Sequence, residues 1–230
     1  MKFDCVIGNP PYQLKNHSLW KPLCKRFRTF GDNCSFITPR AFISRANLKH
    51  YKGRIESINF TVDHHFDIGV KICVWQLCKE TNTTKITCEN GEVVNTNIDR
   101  FEYLPYRLGS ALDFTIFEKL YYDNNQFTYM NNATEPSIAV QKARRFTTKA
   151  FVISDNPAED KRLSGAWGTM CMLIDNKVEA AEYIVSDLFK YQFHLYGGDD
   201  SQGGTMLRKF ISWNNDIIFT EEELESINTQ

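Results

Sequence analysis

The chain has 230 residues, a net charge of −1, and 42% hydrophobic and 24% charged residues, values ordinary for one large or two small globular domains. No run approaches the ~20 consecutive apolar residues of a transmembrane helix, and no basic-then-apolar segment opens the chain, so a cytoplasmic protein without membrane contact is expected. The seven cysteines are odd in number and form no Cys-x-x-Cys pair, which argues against a disulfide framework or a zinc site and for reduced thiols.

Phe3-Asp4-Cys5-Val6-Ile7-Gly8 reads as a buried strand and runs directly into Asn9-Pro10-Pro11-Tyr12. Leu19, Trp20, Leu23, Phe27 and Phe30 recur at helical spacing, predicting an amphipathic helix over 17–30 that ends at Gly31-Asp32-Asn33. Cys34–Thr38 predicts a second strand, stopped by Pro39, and a second helix is expected over 41–52. Residues 55–60 and 70–77 are β-rich. Two strands alternating with helices in the first 55 residues predict an α/β fold with a parallel sheet.

Lys85–Val94 reads as a hairpin with Asn90-Gly91 as its tight turn. Helical spacing returns at 108–122 and 177–193, with short β candidates at 150–153 and 170–174 between them. A domain boundary is expected near 80–100, separating residues 1–82 from 83–230. Gly197 to Gly204 follows no strand and lacks Gly-x-Gly-x-x-Gly spacing, so it reads as a loop of the second region rather than a cofactor site.

The charge is unevenly spread. Residues 1–54 carry eleven Lys and Arg against only Asp4 and Asp32, whereas Asp216, Glu221, Glu222, Glu223 and Glu225 follow the last basic residue, Lys209. A basic region around the Asn-Pro-Pro-Tyr segment, Lys15 included, suits a polyanion; a solvated helix surface is the other reading. Lys142, Arg144, Arg145 and Lys149, with Phe146 interleaved, form a second basic cluster that suits phosphates or guanines, or an ordinary surface segment.

A strand ending in Asn-Pro-Pro-aromatic makes a stiff loop with free acceptors and one flat ring. An amino group conjugated to a purine is a poor nucleophile, because its lone pair is delocalised into the ring. Two acceptors on its protons draw the nitrogen toward sp³ character and free that pair. The Asn9 side-chain oxygen and the Pro10 carbonyl are such acceptors, Pro11 fixes φ and holds Pro10 extended, and Tyr12 offers a stacking face worth roughly 1–3 kcal/mol. His64 and His65 provide too few donors for a metal, so no metal site is expected, and they read as polar loop or phosphate contacts.

Phe3 to Gln13 resembles motif IV of the amino-directed DNA methyltransferases, specifically the adenine-N6 enzymes of restriction-modification systems. Leu19-Trp20-Lys21-Pro22-Leu23 resembles the helix after that motif, Ser35–Phe42 its Phe-Ile-Thr-Pro strand end, Phe66–Trp75 motif VIII, and Ile218–Leu224 the ending of several such enzymes. The clear resemblance covers residues 3–78. It implies a partial Rossmann-like class I methyltransferase sheet in 1–82 and an α+β DNA target-recognition domain in 83–230. Asn9, Pro10, Pro11 and Tyr12 would be catalytic, with Phe66 as a further contact to the flipped base or as core packing. Lys15, Lys142, Arg144, Arg145 and Lys149 would contact double-stranded DNA.

The family's cofactor is S-adenosylmethionine, bound at a Phe-x-Gly-x-Gly turn that this sequence lacks. The resemblance therefore implies a cofactor-binding half located elsewhere, on a separate subunit or lost, and is compatible with a cognate endonuclease as partner. Two alternatives stay open: an inactive remnant that binds DNA or acts as a decoy, and a methyltransferase for RNA or protein glutamine, where related Asn-Pro-Pro-Tyr motifs also occur.

Overall fold

β1 (Cys5–Gly8) is short because Pro10 and Pro11, which cannot donate to a sheet ladder, follow it at once. In the computed structural model, residues 2–14, 17–66, 70–122, 129–141, 151–163, 169–197 and 217–229 are described. A small antiparallel pair, β2 (Gln13–Leu14) with β3 (His17–Ser18), leads into α1 (Trp20–Phe27). Pro22 is tolerated there because the first turn of a helix needs no N–H from it. The predicted helix is thus shorter at both ends.

The chain returns through Gly31 to β4 (Asn33–Pro39), which pairs with β1 in parallel, Cys5 opposite Asn33 and Gly8 opposite Phe36. The return is tight: a Cβ on Gly31 would lie 2.7 Å from the Phe3 carbonyl oxygen. The helix expected over 41–52 is two short turns instead, a 3₁₀ turn over Arg40–Ile43 and α2 (Arg45–Leu48). Ser44, extended at φ −72° and ψ 153°, separates them.

β5 (Ile55–Asn59) and β6 (Ile72–Leu77) follow, then the predicted hairpin, β7 (Thr84–Thr87) with β8 (Val93–Thr96), whose turn holds Gly91 at φ 90°. These strands form one six-stranded sheet in the order β1-β4-β6-β5-β7-β8. It is mixed rather than parallel: β6 runs antiparallel to both neighbours. An α/β class is confirmed at this level.

One face of the sheet carries an aromatic core. The rings of Phe42 and Trp75 stack at 3.9 Å and 8°, and Phe36 and Tyr51 pack against Trp75 at 5.0 and 4.9 Å. The Trp75 indole N–H donates to the Thr38 hydroxyl at 2.9 Å, so the buried ring leaves no orphan donor.

The chain divides into two compact units at Phe114/Thr115, inside α3 (Ala111–Tyr122). Residues 83–114 belong to the first unit for a physical reason. β7 pairs in parallel with β5, and the segment after β8 bonds back, with Leu108 and Gly109 carbonyls accepting from Glu89 and Asn90.

The second unit holds a four-stranded antiparallel sheet of β9 (Tyr129–Asn131), β10 (Ser137–Gln141), β11 (Val152–Ser154) and β12 (Thr169–Leu173) in the order β11-β10-β12-β9. The helical stretch predicted over 177–193 is two helices, α4 (Lys177–Val185) and α5 (Asp187–Leu195), with Ser186 between them. The Ser186 hydroxyl accepts from the Phe189 N–H and caps α5. The last helix, α6 (Glu221–Asn228), begins with a capping box in which Thr220 and Glu223 bond reciprocally. Among the described residues no helix is long and apolar enough to cross a membrane, and the seven cysteines are free thiols.

Candidate functional site

The sheet topology gathers distant segments at one edge. β1, β4, β5 and β7 all point the same way, and β6 opposes them. The segments after β1 (from Asn9), after β4 (from Arg40), after β5 (from Phe60) and after β7 (from Cys88), and the one before β6 (to Lys71), therefore all lie at the carboxyl ends of the parallel strands. Open α/β sheets place ligands at that edge.

Within the motif the burial varies from residue to residue. Pro10 is buried, Asn9 and Pro11 are exposed, and Tyr12 is half-buried. Gly8 lies close under the Phe36 ring, where an added Cβ would be 3.4 Å away, so the strand end seats tightly on β4. The Tyr12 carbonyl accepts from the Leu19 N–H at 3.2 Å, tying the far side of the loop to the start of α1. Asn9 is left facing solvent, with no hydrogen-bond partner for its carboxamide among the described residues.

The Tyr12 phenol sits near enough to Cys73 on β6 for the two to interact. Burial first, and then Cys73, raises the Tyr12 pKa. Burial pushes the Cys73 thiol up to about 12, against the opposing pull of Arg40 and a Thr38 hydrogen bond. Both groups are therefore neutral at physiological pH. A neutral phenol ring is suited to stacking, and neither group is poised as a general base.

Beside this lies a buried ionic knot. Arg40 is 0% exposed and its guanidinium is fully engaged. Nε donates to Ile72 O at 3.1 Å, Nη1 to Tyr106 O at 3.1 Å and to Glu89, and Nη2 to Phe60 O at 3.1 Å and Asp63 Oδ2 at 2.5 Å. The other Asp63 oxygen accepts from the Ile72 N–H at 2.6 Å, and Lys71 lies 3.2 Å from Asp63. Arg40, Phe60, Thr61, Asp63, Lys71 and Glu89 line a cavity of about 300 Å³. Burial works against the Glu89 carboxylate, but the charge and hydrogen bond of Arg40 outweigh it and hold its pKa below the usual value.

The knot sets the base of the loop that carries Phe66. Asp63 and Ile72 clamp the two ends of that loop, and the Phe66 N–H donates to Asp63 O at 3.2 Å. Phe66 is half-buried and makes no ring contact with Tyr12 among the described residues, so it shares the edge with the motif without touching it. The described residues contain no group of three His, Cys, Asp or Glu placed to hold a metal. Lys15, Lys142, Arg144, Arg145 and Lys149 lie outside the described residues.

Arg40, Asp63 and Glu89 were not singled out from the sequence. The available signal was a charge directly after a buried strand that ends in Thr38-Pro39, with carboxylates following later strands. The chain matches no protein-family model and no curated protein.

Proposed function

We propose that this chain carries the target-base side of a site-specific DNA adenine-N6 methyltransferase, the protein component that grips a flipped adenine for methylation. The observation that carries this reading is the exposed Asn9 carboxamide, without a hydrogen-bond partner among the described residues, on a loop held at one end by Gly8 against Phe36 and at the other by the Tyr12 carbonyl on Leu19, at the edge of an α/β sheet where ligands bind. Asn9 Oδ1 and the Pro10 carbonyl accept the two amino protons, which draws the nitrogen lone pair out of conjugation. The neutral Tyr12 ring stacks on the base, and Phe66 supplies a second apolar contact from the loop that the Arg40 knot holds in place.

The described residues do not fit S-adenosylmethionine. None of the described glycines makes a glycine-rich strand-to-helix turn: Gly8 ends β1 and is followed by Asn9-Pro10-Pro11, Gly31 and Gly53 precede strands, Gly91 turns a hairpin, Gly109 stands alone before α3, and Gly197 follows a helix at φ 70°. The reading assigns the methyl donor to a separate cofactor-binding half. The state of β1 supports that assignment. Among the described residues β1 is paired only with β4, and Ile7 is 81% exposed while Phe3 beside the strand is 56% exposed. Apolar residues on an open sheet edge suit coverage by further strands.

The test is expression of this chain together with the reading frames flanking its gene in a host free of adenine methylation, followed by mapping of N6-methyladenine. Methylation at one recognition sequence, lost about 100-fold or more with Asn9→Ala, is the expected result. Methylation of RNA or protein instead of duplex DNA, or none that depends on Asn9, overturns the reading.

A further inference from the structure

Lys21, Lys25 and Arg28 stand at i, i+4 and i+7 along α1 and its C-cap, so they share one face. The turn after α2 brings Lys49 and His50 beside the far end of this stripe. The Lys25 ammonium donates to His50 Nε2 at 3.3 Å, and Arg28 donates to the His50 carbonyl at 2.6 Å while lying over the Tyr51 ring at 5.5 Å. Arg26 lies over Phe30 at 5.5 Å. Lys25, Arg26, Lys49 and His50 are exposed.

The cations of this group lack counter-charges. No carboxylate among the described residues pairs with Lys21, Lys25, Arg26, Arg28 or Lys49. Other cations of the region are occupied: Lys2 and Arg54 by Asp32, Arg45 by Glu102, and Arg40 in its buried knot. Desolvation, and then Lys25, Lys49 and Arg28 in turn, lower the His50 pKa. The fold therefore holds like charges together without relief, which an external anion would supply. Because α1 returns from the end of β1 to the start of β4, the stripe leads away from the base-gripping edge toward the opposite one.

We propose that Lys21, Lys25, Arg28, Lys49 and His50 form a phosphate track, on which the backbone of a nucleic acid lies in sequence-independent contact. The choice of nucleic acid over another polyanion rests on the reading of the Asn9 motif; the clustering of unpaired cations does not. An extended track, rather than a single-anion pocket, follows from the spread of the charges along a whole helix and the neighbouring turn. A bound phosphate favours the protonated form of His50, which faces Lys25 and Arg28 of α1 and its neighbour Lys49, so affinity rises as pH falls toward the lowered His50 pKa.

The experiment measures binding of a labelled mixed-sequence duplex to the full chain between about 50 and 200 mM salt, with the His50 ring followed by NMR. The triple variant Lys21→Gln, Lys25→Gln, Lys49→Gln is expected to reduce the slope of log affinity against log salt by about 2–3, at roughly 0.9 per phosphate contact. Lys85→Gln, on β7, leaves it unchanged. The duplex is expected to raise the His50 pKa; an unmoved His50 together with an unchanged slope in the triple variant overturns the track. Equal His50 shifts from inorganic phosphate at matched phosphate concentration reduce it to a single-anion site, and equal shifts from poly-glutamate make it a surface for an acidic protein; either refutes the proposal. The readout is binding rather than methylation, so failure of the track and failure of the Asn9 reading are told apart.

Discussion

Arg40 was legible in the sequence only as one more cation in a basic stretch, yet it is the best-satisfied charge in the first unit. Its partners Asp63 and Glu89 come from separate strand ends, and only the sheet brings them within reach of one guanidinium. Sequence spacing carries no such information, whereas Asn9-Pro10-Pro11-Tyr12 was legible because prolines after an apolar strand dictate a local structure. Removing the cation would take from the half-buried Glu89 its ion pair with Arg40 and leave Asp63 to Lys71 alone. Arg40→Met is expected to cost about 3–5 kcal/mol in urea denaturation, more than a lost surface pair. The pH dependence follows from Glu89, whose folded pKa lies below its ordinary 4.5. A depressed carboxylate contributes stability above its unfolded pKa and loses it as pH falls through the folded one. The wild-type chain should therefore weaken as pH drops below about 4.5, and Glu89→Gln should flatten that fall. A variant whose acid profile parallels the wild type would assign the loss to other carboxylates.

Among the elements, those fixed by local chemistry were the readable ones. The strand–Pro–Pro junction and the Asn90-Gly91 hairpin each depend on residues adjacent in sequence. The helices expected over 41–52 and 177–193 were misread for a specific reason. Apolar spacing runs through Ser44 and Ser186 without a break, but each serine adopts extended backbone and divides the stretch in two. The hairpin was recognised, but its place was not: pairing with β5 puts it in the first sheet, because register against a distant strand is a tertiary fact. The return through Gly31 tests how firmly β1 is seated. A Cβ there meets backbone, the Phe3 carbonyl at 2.7 Å, which cannot swing aside as a side chain would. Gly31→Ala is expected to destabilise the chain by about 1–3 kcal/mol and to speed amide exchange across Cys5–Gly8. Unchanged exchange in those strand amides would mean that the turn gives way without disturbing the motif strand.

At the scale of the whole molecule, the distribution of chemistry is lopsided. The Asn9-Pro10-Pro11-Tyr12 loop, the Phe66 loop and the Arg40 knot lie at one edge of the first sheet, and no described segment of either unit provides a glycine-rich turn for a nucleotide-like cofactor. Gly197 illustrates the difference. It sits at φ 70° after α5, and its N–H donates to the His194 carbonyl at 2.8 Å, the geometry of a helix end rather than of a phosphate cradle. The open edge of β1, with Ile7 exposed, is where a complementary set of strands would extend the sheet. If the methyl donor's site lies on such a partner, this chain alone should bind S-adenosylmethionine more weakly than about 1 mM in calorimetry, a level at which contacts contribute little beyond the cost of association. Adding the cofactor-binding half should bring affinity into the micromolar range and protect the β1 amides from exchange, because the same contact that completes the cofactor site closes the sheet. Micromolar binding by the isolated chain would place a cofactor site within these 230 residues and remove the need for a second half.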